Sequence, residues 1–395
     1  MGRVTTAGIR VGRPASRPGV RMKKERGRRK GGAVTGRDKT PAGRPAAKRR
    51  DLLGGTLNGK DHSEVVAAVC RYMCEGKCVS EIAERIRRDF GIPLTRKDPY
   101  SYFRFAARHH WITFTPPYEF ALRQQMGKAY GWLRDIDVVH TCVFDDVAAR
   151  GAEMLVRMVQ RLGRLKQEVH IGFAGGHAMR KLVQRFADLL RMRRDNMPET
   201  LVFHAMVAGF DVNDPSTDPN AFFVYLLKDP AFQVRTKFVL LRAPCLVATS
   251  DFEKIKSWQG VREAYDAARD IDIVCTSGSS WKDSHSALRH YMSNSSASLT
   301  ALQKAGCVGD MLWRPLGVRK PIEVPTDIRA MTLMDLGDLP RHMREGKSVL
   351  LVLGPCNGCG VPKTDILRTI LRTDPPLINH LVLDSVAARS IVKSD

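Results

Sequence analysis

The chain has 395 residues, more than one ordinary core accommodates, and a length prior of ~150 residues per domain points to two folded units with additional chain. A hydrophobic fraction of 43 % supplies real cores and excludes a wholly disordered polypeptide. The formal charge of +23 is uneven: residues 1–50 hold 17 Lys/Arg against the two acids Glu25 and Asp38, a solvated basic segment that favours phosphate polymers whatever their base sequence.

That segment, residues 1–60, alternates Arg and Lys with Gly, Pro and Ala without apolar periodicity, and it is expected to be a disordered tail. Tail charge alone names no partner, since a solubilising extension has the same composition. No stretch approaches the ~18 to 20 apolar residues of a membrane span, and the N-terminus lacks the apolar centre of a secretory signal. A cytoplasmic, nucleoid-associated protein with no membrane partner is expected. The nine Cys are an odd number scattered over a large chain, so reduced thiols rather than a disulfide framework are expected.

Residues 61–117 read as a small all-α winged helix-turn-helix domain. Val65, Val66, Val69, Tyr72 and Met73 share one face of a first helix with Ser63 as N-cap, and Glu75-Gly76-Lys77 ends it. Ser80 caps a second helix with Ile82, Ala83 and Ile86 inward, closing at Gly91-Ile92-Pro93. A third opens at Thr95–Pro99 and runs through Tyr100, Phe103 and Ala107 to His110, with Trp111–Phe114 as a short strand. Arg96 and Lys97, ahead of the third helix, are placed to meet phosphates; Tyr100, Ser101, Tyr102 and Arg104 stand on its first turns where base edges lie, with Arg108 nearer the backbone. Periodicity leaves open a three-helix bundle with a basic surface and no DNA contact.

Beyond Pro116-Pro117, residues 118–395 alternate strand-like and helical runs. Tyr118–Leu133 and Asp146–Leu165 read as helices, and Asp137–Phe144, Val169–Phe173, Thr200–Met206, Lys237–Leu241, Ile271–Thr276 and Ser348–Leu353 as strands. The alternation predicts an α/β, Rossmann-like fold around a largely parallel sheet. Asp211–Asn220, rich in Asp, Asn and Pro, is expected to be a surface loop.

Residues 65–112, with Glu81-Ile82-Ala83-Glu84-Arg85 leading to Tyr100–Ile112, resemble the helix-turn-helix of SorC/DeoR-type sugar-binding transcriptional regulators. Residues 118–392 are similar to that family's effector domain through several blocks in order: Gly172-Phe173-Ala174-Gly175-Gly176-His177, Ala305-Gly306-Cys307-Val308-Gly309-Asp310, Asp327-Ile328-Arg329, Leu351-Val352-Leu353-Gly354 with Lys363, and His380–Ile391. The resemblance implies a sugar-phosphate-isomerase-like effector and oligomerisation domain that binds a phosphorylated sugar. It places Gly172, Gly175, Gly176, His177, Ser277, Gly278, Asp310, Arg329 and Lys363 in the effector site. A glycine-rich turn from strand to helix exposes N–H groups to an anion, and Arg329 and Lys363 are the cations, with Thr276–Ser279 as a second wall. Two departures stand out. Ile86–Asp98 is longer than usual, and His177-Ala178 occupies the place of a phosphate-binding hydroxyl.

Cys70, Cys74 and Cys78 at C-x3-C-x3-C spacing, and Cys356 with Cys359 at C-x2-C, bring metal to mind, but no His or Cys pair lies near either group at ligand spacing. No metal and no cofactor is expected, although Pro355–Pro362 looks like an insertion into the family pattern. Asp310, His285 and His177 are available acid/base groups, and Trp281 and Trp313 read as core or rim. The chain thus reads as a non-enzymatic regulator of carbohydrate metabolism, a homodimer or homotetramer on double-stranded DNA. The alternative is a sugar-phosphate isomerase- or deaminase-like enzyme with an accessory nucleic-acid-binding domain.

Overall fold

A computed structural model of the chain describes residues 62–109, 111–112, 117–192, 196–209, 214–227, 232 and 234–393. The basic segment 1–60 lies outside them. Three helices come first: α1 (His62–Cys74), α2 (Val79–Phe90) and α3 (Asp98–Arg108). Val65, Val66 and Val69 of α1, Ile82 and Ile86 of α2, and Tyr102 and Ala106 of α3 are buried, so each helix turns one apolar stripe inward. The two serines read as caps stand inside helices that begin one residue earlier. Cys78 is the N-cap of α2, its N–H donating to Glu81 Oε2 at 3.0 Å, and Gly91 ends that helix at φ +69°.

The strand read at Trp111–Phe114 does not extend where it is described. Trp111 N donates to the Ala106 carbonyl at 2.8 Å and its ring packs edge-on to Phe105 at 5.6 Å, which folds the chain back onto α3. Thr113 and Phe114 lie outside the described residues, so no wing strand is seen among those described.

The strands in chain order are β1 (Asp135–Val139), β2 (Glu168–Phe173), β3 (Thr200–Ala205), β4 (Arg235–Val239), β5 (Leu246–Ala248), β6 (Ile273–Thr276), β7 (Gly278–Ser280), β8 (Gly309–Met311), β9 (Arg314–Leu316), β10 (Ile328–Ala330), β11 (Ser348–Leu353) and β12 (His380–Asp384). Among the described residues, seven of them form one parallel sheet in the order β1-β12-β11-β6-β2-β3-β4. Runs such as Leu350–Leu353 and Leu381–Leu383 are buried on both pleat faces, the signature of parallel strands covered by helices. The edge strand β4 is half polar and half exposed, which blunts that edge against further pairing. Helices α4 (Phe120–Ala129), α5 (Phe144–Gly163) and α6 (His177–Met192) follow, with α5 and α6 packed on each other. Gly151 lets α5 lie close on the sheet, because a Cβ there would meet Val352 of β11 at 2.7 Å. No described helix is long and apolar enough to cross a membrane.

Pro215–Asn220 is not a simple surface loop. Asp214 caps a 3-10 turn over Pro215–Thr217 by accepting from Ser216 N, and Asp218 caps the helical turn Pro219–Phe222 by accepting from Asn220 N. Asp214 and Asp218, which suggested a loop, are helix caps beside the buried Thr217 and Phe222, and Asp211 lies outside the described residues.

Candidate functional site

Strand order marks one place in the sheet where a crevice opens. From β2 the chain proceeds to β3 and β4 on one side, whereas β6 leads to β11 and β12 on the other, so the order reverses between β2 and β6. Carboxyl ends of neighbouring strands that diverge in this way leave a crevice, the usual ligand position in open α/β sheets. Here the crevice is a cavity of about 390 Å³ lined by the turns that leave both strands, Ala174–His177 after β2 and Thr276–Ser279 after β6.

The first wall is the start of α6. Gly176 has φ +102°, a conformation available to glycine, and its N–H donates to the Thr217 carbonyl at 2.8 Å. The turn thereby directs the helix N-terminus and its partial positive charge into the cavity. His177 stands at that rim, its Nε2 3.8 Å from Asp214. The hydroxyl that the glycine turn lacks is supplied elsewhere: Thr217, Ser277, Ser279, Ser284 and Ser286 all line the cavity. Ser277 Oγ is buried without a hydrogen-bond partner among the described residues. Buried hydroxyls are ordinarily paired, so an oxygen or N–H from a ligand fits this position.

The floor comes from the small antiparallel sheet β7-β8-β9. Ser279 lies opposite Asp310 in register, and its hydroxyl donates to the Asp310 carboxylate. Gly309 permits this approach, since a Cβ there would run into the Ser279 carbonyl. The β8–β9 turn holds Leu312 and Trp313 at φ +55° and +58°, backbone values costly for such side chains, and both are buried against the cavity.

The Asp and Lys side chains of the cavity wall are Asp283, Asp310 and Lys363. Lys363 donates from Nζ to the Gly278 carbonyl at 3.0 Å. Burial lowers its pKa, which the negative groups around it, Asp283 and Asp310 among them, partly offset. Burial pushes the Asp310 carboxyl up to about 6, against the opposing pull of Ser279 and Lys363. A cation beside a carboxyl that is readily neutralised suits an anionic group carrying hydroxyls.

Of the effector residues read from the sequence, Gly175, Gly176, His177, Ser277, Gly278, Asp310 and Lys363 line this one cavity. Gly172 and Arg329 do not. Gly172 sits inside β2, where a Cβ would meet Met206 Sδ at 2.3 Å, so its glycine serves strand packing. Arg329, on β10, pairs through Nη2 with Asp335 at 2.8 Å and lies over the Phe252 ring at 3.9 Å, away from this cavity.

Other side chains enter from positions that spacing does not connect. Asp283 and His285 face Cys356 and Cys359, and their ligand atoms all lie within 4.8 Å of one another. The absence of nearby ligand partners expected from the sequence is therefore corrected: they come from a turn about seventy residues upstream. His285, Asp310 and His177, the dispersed acid/base candidates, also share the cavity wall.

On α3, Tyr100, Ser101, Arg104 and Arg108 are exposed, as are Arg96 and Lys97 before it. Tyr102 is only 3 % exposed. It occupies the inward stripe with Pro99 and Ala106, one helical turn along in each direction, and so is removed from the groove-facing set.

No protein-family model and no curated protein matches the chain. Solved structures do. The full-length sorbitol operon regulator SorC of Klebsiella pneumoniae superposes with a TM-score of 0.60 at 15 % identity, covering 84 % of this chain and 99 % of that one. A DeoR family transcriptional regulator from Listeria monocytogenes gives 0.51 at 19 % identity over 69 % of this chain and 98 % of that one. A transcriptional regulator from Streptococcus pneumoniae TIGR4 gives 0.52 at 17 % identity, 70 % and 97 %. The SorC match takes in more residues than 118–395 contain, so it extends into the N-terminal helices. The chain has the fold of the SorC- and DeoR-type transcriptional regulators.

Proposed function

We propose that the chain is a DNA-binding transcriptional regulator of carbohydrate metabolism, in which residues 61–117 read DNA and residues 118–395 bind a phosphorylated sugar or related metabolite. The observation that carries the reading is the cavity at the sheet's switch point. It joins the α6 N-terminus, the unpaired Ser277 hydroxyl and the Lys363 ammonium around a volume suited to one small anionic ligand.

The exposed set Arg96, Lys97, Tyr100, Ser101, Arg104 and Arg108 lies on and just before one helix, the arrangement a major-groove reader needs. Binding of the metabolite changes DNA affinity by favouring one of two subunit arrangements, which requires a homodimer or homotetramer and a differential affinity between the two. The protein works in the cytoplasm, at the nucleoid, and has no catalytic role. Thermal unfolding with a panel of sugars and their phosphates tests the ligand class. Stabilisation by phosphorylated members alone supports it, and equal shifts for the parent sugars contradict it.

Turnover of a sugar phosphate is a second reading with one observation in its favour. Asp310, held at about 6, and Lys363 form an acid/base pair beside hydroxyls. Consumption of a phosphorylated sugar by the pure protein, abolished in Asp310→Ala, distinguishes it.

A further inference from the structure

Cys356 and Cys359 bracket a tight turn. Gly360 N donates to the Cys356 carbonyl at 2.8 Å and Cys356 N to the Val361 carbonyl at 2.9 Å, with Gly360 at φ +72°. Facing it, the backbone N–H of His285 donates to Asp283 Oδ1 at 2.9 Å, which fixes that carboxylate. The two turns lie close together: a Cβ on Gly358 would come within 2.9 Å of the His285 ring, so a larger residue there would push the imidazole aside.

The four donor atoms lie within 4.8 Å of one another, and three of their six separations can be compared with the edges of a coordination tetrahedron. Bonds of about 2.3 Å to sulfur and about 2.0 to 2.1 Å to nitrogen or oxygen give edges of about 3.4 to 3.8 Å. Observed separations are 3.2 Å for Asp283 Oδ1 to His285 Nδ1, 3.6 Å for His285 Nδ1 to Cys356 Sγ, and 3.9 Å for Cys359 Sγ to Asp283 Oδ1. Two Cys and a His in close convergence select a borderline-soft cation over Mg²⁺ or Ca²⁺, which take oxygen donors.

We propose that Asp283, His285, Cys356 and Cys359 form a tetrahedral site for a divalent cation of the zinc class, built into the wall of the cavity. Charge closes around it. Two thiolates and one carboxylate leave the dication with a net single negative charge, and Lys363 lines the same wall as Asp283 and Cys356. All four coordination positions are filled by protein, so the metal is a clamp that fastens 355–362 to the 283–286 turn rather than a centre for activating water. Since Asp283, His285, Cys356 and Lys363 all line the cavity, the clamp also sets the shape of its wall. The site stands independently of what the cavity binds.

The test is metal analysis of the full-length protein, purified under reducing conditions, incubated with zinc and dialysed, with a parallel cobalt(II) titration followed by absorption. One zinc per chain is expected, and cobalt should show thiolate charge-transfer together with the intense d–d bands of tetrahedral coordination. Both should be lost in Cys356→Ser/Cys359→Ser and weakened at least tenfold in His285→Ala, while Cys74→Ser/Cys78→Ser, outside the cluster, retains them. Far-ultraviolet circular dichroism checks that each variant is folded, and an unfolded Cys356→Ser/Cys359→Ser protein leaves His285→Ala and Asp283→Asn to carry the comparison. A metal-free protein with both thiols titratable, a Cys356–Cys359 disulfide under these conditions, or full metal retention in Cys356→Ser/Cys359→Ser would overturn the proposal.

Discussion

The backbone N–H of Ala174 donates to the carbonyl of Cys275 at 3.0 Å, so the glycine turn after β2 and the serine turn after β6 leave the sheet from one hydrogen-bonded point. From there they diverge, one toward α6 and the other into the small antiparallel sheet. The cavity is the space between them, with the N-terminus of α6 on one side and hydroxyls and a lysine on the other.

Gly176 tests the first wall. Alanine at φ +102° is strained by about 1 to 2 kcal/mol. Gly176→Ala should unfold a few degrees below wild type and should also lose most of its ligand-induced stabilisation. Unchanged ligand response in a thermal-shift titration would remove this turn from the site.

Lys363 and Arg329 make a matched pair. A charge-assisted hydrogen bond to phosphate is worth about 1.5 to 3 kcal/mol. Lys363→Met should therefore weaken a phosphorylated ligand by about tenfold or more in calorimetry. Arg329→Met should leave that affinity unaltered, since Arg329 is engaged with Asp335 and Phe252 outside the cavity. The reverse pattern would move the anion site.

Asp310 makes stability depend on pH with a defined sign. Its carboxyl is at about 6 in the fold against ~3.9 for an ordinary Asp. The folded state thus prefers the protonated form. Its contribution is complete below pH ~4 and is lost as pH rises through about 6, an effect of about 3 kcal/mol. The stability of Asp310→Asn relative to wild type should rise by up to that amount between pH 4 and pH 7.5, read from urea denaturation. A difference that is flat with pH contradicts it.

Within α3, Tyr102→Ala should cost about 3 kcal/mol or more through lost packing. Tyr100→Ala and Arg104→Ala, on exposed positions, should leave unfolding nearly unchanged while weakening DNA binding, Arg104→Ala by about 1 to 3 kcal/mol if it meets a base edge. Comparing melting temperature with duplex affinity separates the two roles.

The parallel strands were legible because strands buried on both faces are written as continuous apolar runs, so Ser348–Leu353 was read with its observed bounds. Glycine positions were less so. Sequence shows Gly172, Gly175 and Gly176 as one cluster, yet the first packs under Met206 and the others open the cavity. Tyr102 was misplaced because the third helix offers aromatics at several phases, and only tertiary contact chooses the buried one. Of the Asp283, His285, Cys356 and Cys359 cluster, only the C-x2-C spacing of the two cysteines is a local signal, and nothing in the sequence ties Asp283 and His285 to it. Its halves meet only because β7, β11 and the helix Thr364–Arg372 bring distant turns to the same end of the sheet.

Coupling of duplex binding to the cavity is the central claim. Its most direct test is the affinity of the full-length protein for a duplex from its own promoter region and for a random duplex at equal salt, each with and without the most stabilising sugar phosphate. Preference for the promoter duplex of ~10³-fold or more, altered by the sugar phosphate in wild type but not in Lys363→Met, is the predicted result. Equal affinity for both duplexes, unmoved by any sugar phosphate, would contradict it.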